Sequence, residues 1–183
     1  GFFVTISGDI IVVGARYGDG NVVDSGSAYV FERNKGGVDN WGQVAKLTAG
    51  THGQSGDQFG TSVAISGDII VVGAPIGDGN VDDSGSVYVF KRSQGGSNSW
   101  PEVEKIFADD GEYYDNFGVS IDIYSDTIIV GAYFDTTPNS NYRQGSAYIF
   151  KSNQAGTNWN QIKHIYDDSN GEPNDQFGVS VSV

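Results

Sequence analysis

The feature that most constrains the fold is a unit of about 59 residues that occurs three times along the chain. A Phe-Gly pair recurs at positions 59, 117 and 177, at intervals of 58 and 60 residues. The three tryptophans are spaced 59 positions apart, at Trp41, Trp100 and Trp159. A repeat of this length is typical of folds in which one small unit stacks on its neighbours to build a shared core.

Each unit is predicted to contain four β-strands. In the second unit these are residues 59–66, 69–72, 87–90 and 100–107. The first strand alternates, with Val63 and Ile65 on one face and small residues on the other. Gly67-Asp68 then offers glycine at the first central position of a tight type II′ hairpin turn. Because the connections are short, neighbouring strands are expected to run antiparallel.

The two middle strands of each unit are apolar on both faces, as in Ile-Ile-Val-Val at 69–72. An antiparallel sheet usually has one polar face, so both faces of these sheets must be covered. Only the fourth strand carries charge, with Glu102, Glu104 and Lys105, as expected at an outer edge. We therefore predict an all-β fold in which four-stranded antiparallel sheets stack face to face as the blades of a β-propeller. A face-stacked β-sandwich is the alternative.

The predicted blades span residues 1–58, 59–116 and 117–176, and residues 177–183 are predicted to be the first strand of a further blade. Three blades cannot close a ring, and an open ring leaves bare sheet edges. We expect further blades in the same polypeptide, or copies of the chain, to complete it. The sequence begins without Met and ends within a repeat motif, so we expect it to be part of a longer polypeptide.

Composition and charge narrow the possible partners. The net charge of −13 and the pI near 4.2 argue against nucleic acid, whose phosphates need a basic surface. They argue equally against docking on anionic membranes. No apolar run approaches the ~20 residues of a membrane-spanning helix, so direct membrane insertion is not expected. The absence of Cys excludes disulfides, thiol catalysis and Cys-ligated zinc.

These motifs resemble the FG-GAP repeat family, the propeller repeats of integrin α-subunit heads and of many surface proteins. The second unit carries the family signature as Phe59-Gly60 followed by Gly73-Ala74-Pro75. An aromatic third strand after Gly-Ser recurs at 26–31, 85–90 and 145–150. The resemblance covers essentially the whole chain and implies a propeller, usually of seven blades, in a secreted or cell-surface protein.

The chain departs from the family pattern at one place. Integrin-type repeats carry a calcium-binding loop between the first and second strands of a blade. Here that link is only Ser66-Gly67-Asp68 in the second unit, with equally short links in the other two. The resemblance therefore implies no calcium site at this position.

The acidic residues are predicted to gather on one face of the blades. Two kinds of loop emerge there: those joining the second and third strands of a blade (2–3 loops) and those leading from one blade to the next (4–1 loops). These loops hold 15 of the 23 acidic residues, whereas five basic residues fall on the opposite face. The pattern predicts a strongly negative loop face. The alternative is that acidic loops serve only solubility.

One acidic loop is a candidate metal site. Its residues alternate oxygen-bearing side chains, which suit a hard cation such as Ca²⁺: Asp78, Asn80, Asp82 and Asp83. No other cofactor is suggested. A turn-forming Gly/Asn/Asp loop explains the same residues without a metal.

Features that occur in every unit are interpreted as scaffold. Asp57, Asp115 and Asp175 each stand two residues before Phe-Gly, and we expect them to accept hydrogen bonds from loop backbone N–H groups. The tryptophans are expected to be packing anchors. The remaining predicted anchors are the signature residues Phe59, Gly60, Gly73, Ala74 and Pro75.

Features that do not repeat are better ligand candidates. On the acidic face these are Asp109, Asp110, Tyr113, Tyr114, Tyr142 and Arg143. Aromatic and arginine side chains of this kind could stack on a sugar or contact a protein, although exposed loop aromatics without a role are the plain alternative.

The sequence supports three candidate functions. The first is a non-catalytic extracellular or cell-surface module that binds protein or glycan, mediates adhesion or builds a structural assembly. The second is a calcium-dependent, lectin-like binder. The third is a glycoside hydrolase-like enzyme, because carboxylate pairs are plentiful. Catalysis has little other support, since neither His52 nor His164 stands at a motif spacing from a nucleophile.

Overall fold

In a computed structural model, the chain is described over residues 3–93, 98–137, 142–153, 155–168 and 172–183. Within these ranges the structure consists of twelve β-strands and a short 3-10 turn at Gly50–His52. The described residues contain no helix long and apolar enough to cross a membrane.

The strands form three four-stranded sheets, one for each repeat. The first contains β1 (Val4–Ser7), β2 (Ile10–Ala15), β3 (Ser27–Arg33) and β4 (Trp41–Leu47). The second contains β5 (Ser62–Ser66), β6 (Ile69–Ala74), β7 (Ser86–Lys91) and β8 (Glu102–Ile106). The third contains β9 (Ser120–Tyr124), β10 (Thr127–Ala132), β11 (Ser146–Ser152) and β12 (Trp159–Ile165).

Each sheet is a meander in which consecutive strands pair antiparallel. The predicted all-β fold with three four-stranded antiparallel units is therefore confirmed. The hairpin turn also has the expected form: Ser66 pairs with Ile69, and Gly67 has a φ of 57°.

The first strand of a blade is shorter than predicted. The second unit's β5 begins at Ser62, because Phe59 instead forms a parallel bridge to Gly26 of the preceding blade. The last residues of the chain, 177–183, form no strand, but Phe177 bridges to Gly145 in the same way. Their assignment to a further blade stays a prediction.

The core lies between the sheets, in two apolar clusters. Blade 2 is covered on both faces: Val72 and Tyr88 pack toward blade 1, and Val71 and Val89 pack toward blade 3. All four side chains are fully buried. This arrangement explains why the middle strands are apolar on both faces, which is the stacking expected of propeller blades.

The signature glycines lie at the seams between blades. At Gly73 of blade 2, an added Cβ would stand 2.0 Å from the carbonyl oxygen of Gly118 in blade 3. Gly14 and Gly60 approach each other in the same way at the first seam. Phe59 fills the same seam, with its ring edge-on to Tyr88 at 5.3 Å. The Phe-Gly and Gly-Ala motifs thus join one blade to the next.

The third hairpin turn is strained, and this gives a stability prediction. Ser125 has a φ of 57° at the position held by Gly8 and Gly67 in the other blades. We expect Ser125→Gly to raise the free energy of unfolding by about 0.5–1 kcal/mol, because relief of left-handed strain exceeds the added chain entropy. Urea unfolding measures the change. The reverse exchange, Gly67→Ser, is the matched control and should destabilise; equal stability of both variants and wild type would contradict the prediction.

Candidate binding site on the acidic loop face

The three recurring aspartates each close a turn in a 4–1 loop. Asp57 accepts a hydrogen bond from the backbone N–H of Gln54 at 2.7 Å, and Asp175 accepts one from Glu172 at 2.7 Å. Asp115 makes the same bond with Glu112. The backbone N–H of Phe134 also donates to the Asp115 carbonyl oxygen, which ties this loop to the 2–3 loop of blade 3. These aspartates therefore fix the conformation of the 4–1 loops on this face.

The tryptophans occupy two different environments. Trp100 and Trp159 are buried in the cores between blades. Trp41 is half-buried on the uncovered side of blade 1, where the Arg33 guanidinium lies 5.3 Å from its ring.

The opposite face of the blades is nearly neutralised by ion pairs. Arg92 contacts Glu32 at 2.7 Å, and Lys151 contacts Asp126 at 3.0 Å. The carboxylates of the 2–3 and 4–1 loops far outnumber the cations near them, so net negative charge concentrates on the loop face.

The candidate calcium loop uses its side chains to build its own turn. One Asp78 carboxylate oxygen accepts the backbone N–H of Asp83 at 3.2 Å, and the other accepts the side-chain amide of Gln54. Asn80 donates to the carbonyl oxygen of Asp109 at 3.2 Å, and Asp82 is exposed. Among the described residues, which include this whole loop, no group of three or more His, Asp or Glu side chains is placed to hold a metal. Calcium binding stays a prediction, which thermal melts in Ca²⁺ and in chelator would test.

Three loops meet around a pair of tyrosines. The rings of Tyr113 and Tyr114 lie 4.0 Å apart, and the residues are 52 % and 38 % exposed. Arg143, from blade 3, donates to the carbonyl oxygen of Tyr113 at 3.2 Å. The backbone carbonyl oxygen of Asp83, from blade 2, accepts a hydrogen bond from the backbone N–H of Tyr114 at 3.2 Å. We call these four residues the tyrosine site.

The other predicted ligand residues lie around this site. Tyr142 precedes Arg143 and is exposed. The backbone N–H of Asp109 donates to the side chain of Gln161 at 3.1 Å. The Asp110 carboxylate instead contacts His164, at 3.0 Å. The structure therefore divides the predicted ligand face into the tyrosine site and a separate network that contains Asp110.

That network centres on Asp135, a buried carboxylate that the sequence did not distinguish from the other acidic residues of the loops. Asp135 is 2 % exposed, and one of its oxygens accepts the Ser146 hydroxyl at 2.5 Å and the Tyr148 hydroxyl at 3.0 Å. The same oxygen lies 3.0 Å from Nε2 of His164, whose ring stacks on Tyr148 at 4.3 Å. Burial, reinforced by Asp135, raises the pKa of the Tyr148 hydroxyl. We call these residues, with Asp110, the blade-3 network.

The other two blades lack this carboxylate. Glycine stands at the corresponding positions, Gly18 and Gly77. In the part of the chain that the structure describes, the buried hydroxyls of Ser27, Ser86 and Tyr88 have no hydrogen-bond partner. The signal available in the sequence was the joint replacement in blade 3 of glycine by aspartate and of lysine by His164.

A family model described as the FG-GAP repeat matches residues 1–31, 41–90 and 100–150. The chain belongs to the FG-GAP repeat family. The resemblance found in the sequence is therefore confirmed, and the matched stretches include the paired glycines at the seams. A search of curated proteins found no match to the chain.

Within this FG-GAP chain, the tyrosine site departs from the repeat by placing a bulky residue at a position where all three repeats have a positive φ. Tyr114 has a φ of 63°. The corresponding positions are Gly56, with a φ of 96°, and Asn174, with a φ of 67°. Glycine and asparagine suit this left-handed conformation, whereas a bulky residue there is an outlier. Comparing the three FG-GAP repeats position by position would have revealed the substitution, but not its φ.

Asp115 of this FG-GAP loop is poised to titrate near neutral pH. Burial raises the pKa of its carboxyl to about 7, and the nearby Asp135 and Glu112 add to the rise, although the bond from the Glu112 N–H opposes it. Burial also raises the pKa of Asp57, Glu102 and Glu104.

These shifts predict that the protein is more stable at mildly acidic pH. Between about 4, the ordinary pKa of Asp, and about 7, the folded protein keeps a proton on Asp115 that the unfolded chain releases. The resulting stabilisation is present at low pH and is lost as the pH rises through 7. We expect the melting temperature to fall between pH 5 and pH 7.5, and Asp115→Asn to reduce that fall. Asp39→Asn, in an exposed turn, is the control; a steeper fall in the Asp115 variant would contradict the prediction.

Proposed function

We propose that this FG-GAP unit is a non-catalytic binding module of a secreted or cell-surface protein, and that the tyrosine site contacts its partner. The observation that carries the proposal is Tyr114, which keeps a strained φ of 63° where the other repeats have glycine or asparagine. A conformation of this kind costs about 1–2 kcal/mol. Backbone strain of that size is concentrated at functional sites.

The side chains of the site suit recognition of another macromolecule. Tyrosine and arginine are enriched among the residues that dominate binding energy at interfaces. Tyr113 and Tyr114 present two adjoining rings to solvent. Arg143 holds them from blade 3, and its guanidinium lies 5.9 Å from the ring of Phe134. The site is therefore supported by packed groups rather than placed on a free loop.

The charge around the site favours a protein partner with a basic contact surface. The chain carries a net charge of −13, and most of its carboxylates lie on the face that holds the tyrosines. Complementary charge of this kind speeds association and selects partners. A glycan that stacks on the tyrosines is the other ligand class, and the experiment below separates the two.

The non-catalytic assignment is supported by the state of the titratable groups. Asp135, Tyr88 and Tyr148 are fully buried, which keeps them away from a substrate. Asp115 is also buried and is engaged by the Glu112 backbone. His52 lies 3.9 Å from Glu102 in an exposed loop.

The proposal is tested with binders selected against the wild-type chain. A displayed library of random peptides and a glycan array are probed in parallel. We expect basic peptides to be selected, and Tyr114→Asn to weaken their binding about tenfold or more, as loss of an aromatic interface residue does. The same variant should unfold no more easily than wild type, and its stability should rise by up to about 1 kcal/mol.

The control is Tyr124→Ser, since Tyr124 is an exposed tyrosine at the hairpin end of blade 3. Its replacement should leave binding unchanged. Glycan binding that depends on Tyr114 would assign the site to carbohydrate instead. The proposal fails if the selected ligands bind wild type and the Tyr114 variant equally well.

A further inference from the structure

His164 joins two carboxylates from different loops. Its Nδ1 lies 3.0 Å from an oxygen of Asp110, in the 4–1 loop that enters blade 3. Its Nε2 lies 3.0 Å from an oxygen of Asp135, in the 2–3 loop of blade 3. A neutral imidazole has one N–H and one lone pair, so it can donate to only one of these carboxylates. The imidazolium can donate to both, and both ring nitrogens lie within hydrogen-bond distance of a carboxylate oxygen.

The two carboxylates are held very differently. Asp135 is buried and also receives hydrogen bonds from Ser146 and Tyr148. The side chain of Asp110 is 48 % exposed. When the ring loses a proton, the remaining N–H should stay with Asp135, because a buried carboxylate is the costlier one to leave without donors. Asp110 is then the contact that is released to water.

Asp110 stands at the base of the loop that carries the tyrosine site. Only Gly111 and Glu112 separate it from Tyr113. The Asp110–His164 contact holds the start of this loop, and the bond from the Glu112 N–H to Asp115 closes its far end. Release of Asp110 therefore frees one of the attachments that position the tyrosine rings, while the bonds from Arg143 to Tyr113 and from Tyr114 to Asp83 remain.

We propose that His164 is a positioning residue for the tyrosine site, holding its loop through Asp110 only while the imidazole is protonated. The inference rests on the proposed function in that it assigns the site a condition for binding. Its structural part, the pH-dependent attachment of the loop, does not depend on any ligand.

The other blades show how the arrangement differs with a permanent cation. Lys46 and Lys105 occupy the place of His164 and lie 5.8 Å and 5.4 Å from the centroids of Tyr29 and Tyr88. Histidine is the side chain whose ordinary pKa puts its charge change between about pH 5 and 8. The titratable groups that face His164 are, in the described structure, Asp110, Asp135, Tyr148 and Tyr166.

The test follows amide hydrogen exchange of residues 110–115 in the full chain without ligand, expressed as protection factors at pH 5.5 and pH 8.5. In wild type we expect protection to fall about tenfold, the change expected for loss of one charge-assisted hydrogen bond. His164→Lys, which installs the residue of the other two blades, should show less than about a twofold fall, because a lysine ammonium stays charged over this range. His164→Gln should show low protection at both pH values.

Asp115 titrates in the same range, but it is present in all three proteins, so the difference between wild type and His164→Lys isolates the imidazole. Amides of β6, which lies in the interior of blade 2, report whether each variant is folded. Unchanged wild-type protection, or an equal fall in the Lys variant, overturns the proposal. If the loop responds as expected but Tyr114→Asn does not affect binding, the positioning role stands and the proposed function fails.

Discussion

Replacing Gly73 with alanine is expected to destabilise the protein by about 3 kcal/mol, at the upper end of the cost of overpacking a core. The new methyl group would stand 2.0 Å from the carbonyl oxygen of Gly118 and 2.3 Å from the hydroxyl of Ser62. The serine hydroxyl can rotate, but the carbonyl belongs to the backbone of the next blade. Relief therefore requires the two sheets to separate, which would open the core between blades 2 and 3.

Urea unfolding of the variant measures this cost. Gly53→Ala is the control, because Gly53 has an ordinary φ of −74° and its added methyl group would meet only the Ala49 side chain closely, at 3.1 Å. We expect the control to change stability by less than about 1 kcal/mol. A Gly73 variant as stable as the control would show that the glycine contact does not hold the seam.

Replacing Asp135 with alanine is the second large effect, and we expect it to lower stability by about 3 kcal/mol. The carboxylate accepts hydrogen bonds from Ser146 and Tyr148, both buried, and pairs with His164. Its loss leaves two buried hydroxyls and the Nε2 of His164 without this partner, while Nδ1 keeps its contact with Asp110. Unfolding in urea at pH 6 gives the change.

The double variant Asp135→Ala with His164→Lys distinguishes the loss of hydrogen bonds in the blade-3 network from a simple loss of packing. It approaches the arrangement of blade 2, where Gly77 and Lys105 occupy the same two positions. We expect it to recover part of the lost stability, because lysine can extend its ammonium to solvent. If the double variant loses more free energy of unfolding than the two single variants lose together, Asp135 and His164 are not coupled in this way.

Much of the fold could be predicted because its signals are local or periodic. Val71 and Val72 face opposite sides of one strand, and their burial on both sides follows from a strand that is apolar throughout. The turn at Gly67 requires a positive φ, which glycine adopts freely. The repeat then carried these inferences from one blade to the other two.

The candidate site was only partly predictable. Tyr113, Tyr114 and Arg143 stood out because they do not repeat, but their contacts depend on how three separate loops approach one another. The φ of Tyr114 is likewise set by the turn that Asp115 closes. Asp135 was not distinguished from the other loop acids, since burial and not residue type separates it from them.

The repeated unit of about 59 residues by itself determined that this chain builds four-stranded blades and that their middle strands are covered on both faces. Those properties follow from alternation, turn chemistry and apolar runs, which act over a few neighbouring residues. Only the tertiary structure decided that Phe-Gly and Gly-Ala meet across the seams, and that His164 lies between Asp110 and Asp135. These contacts join residues far apart in the chain, so their distances arise only when packed sheets bring the loops together.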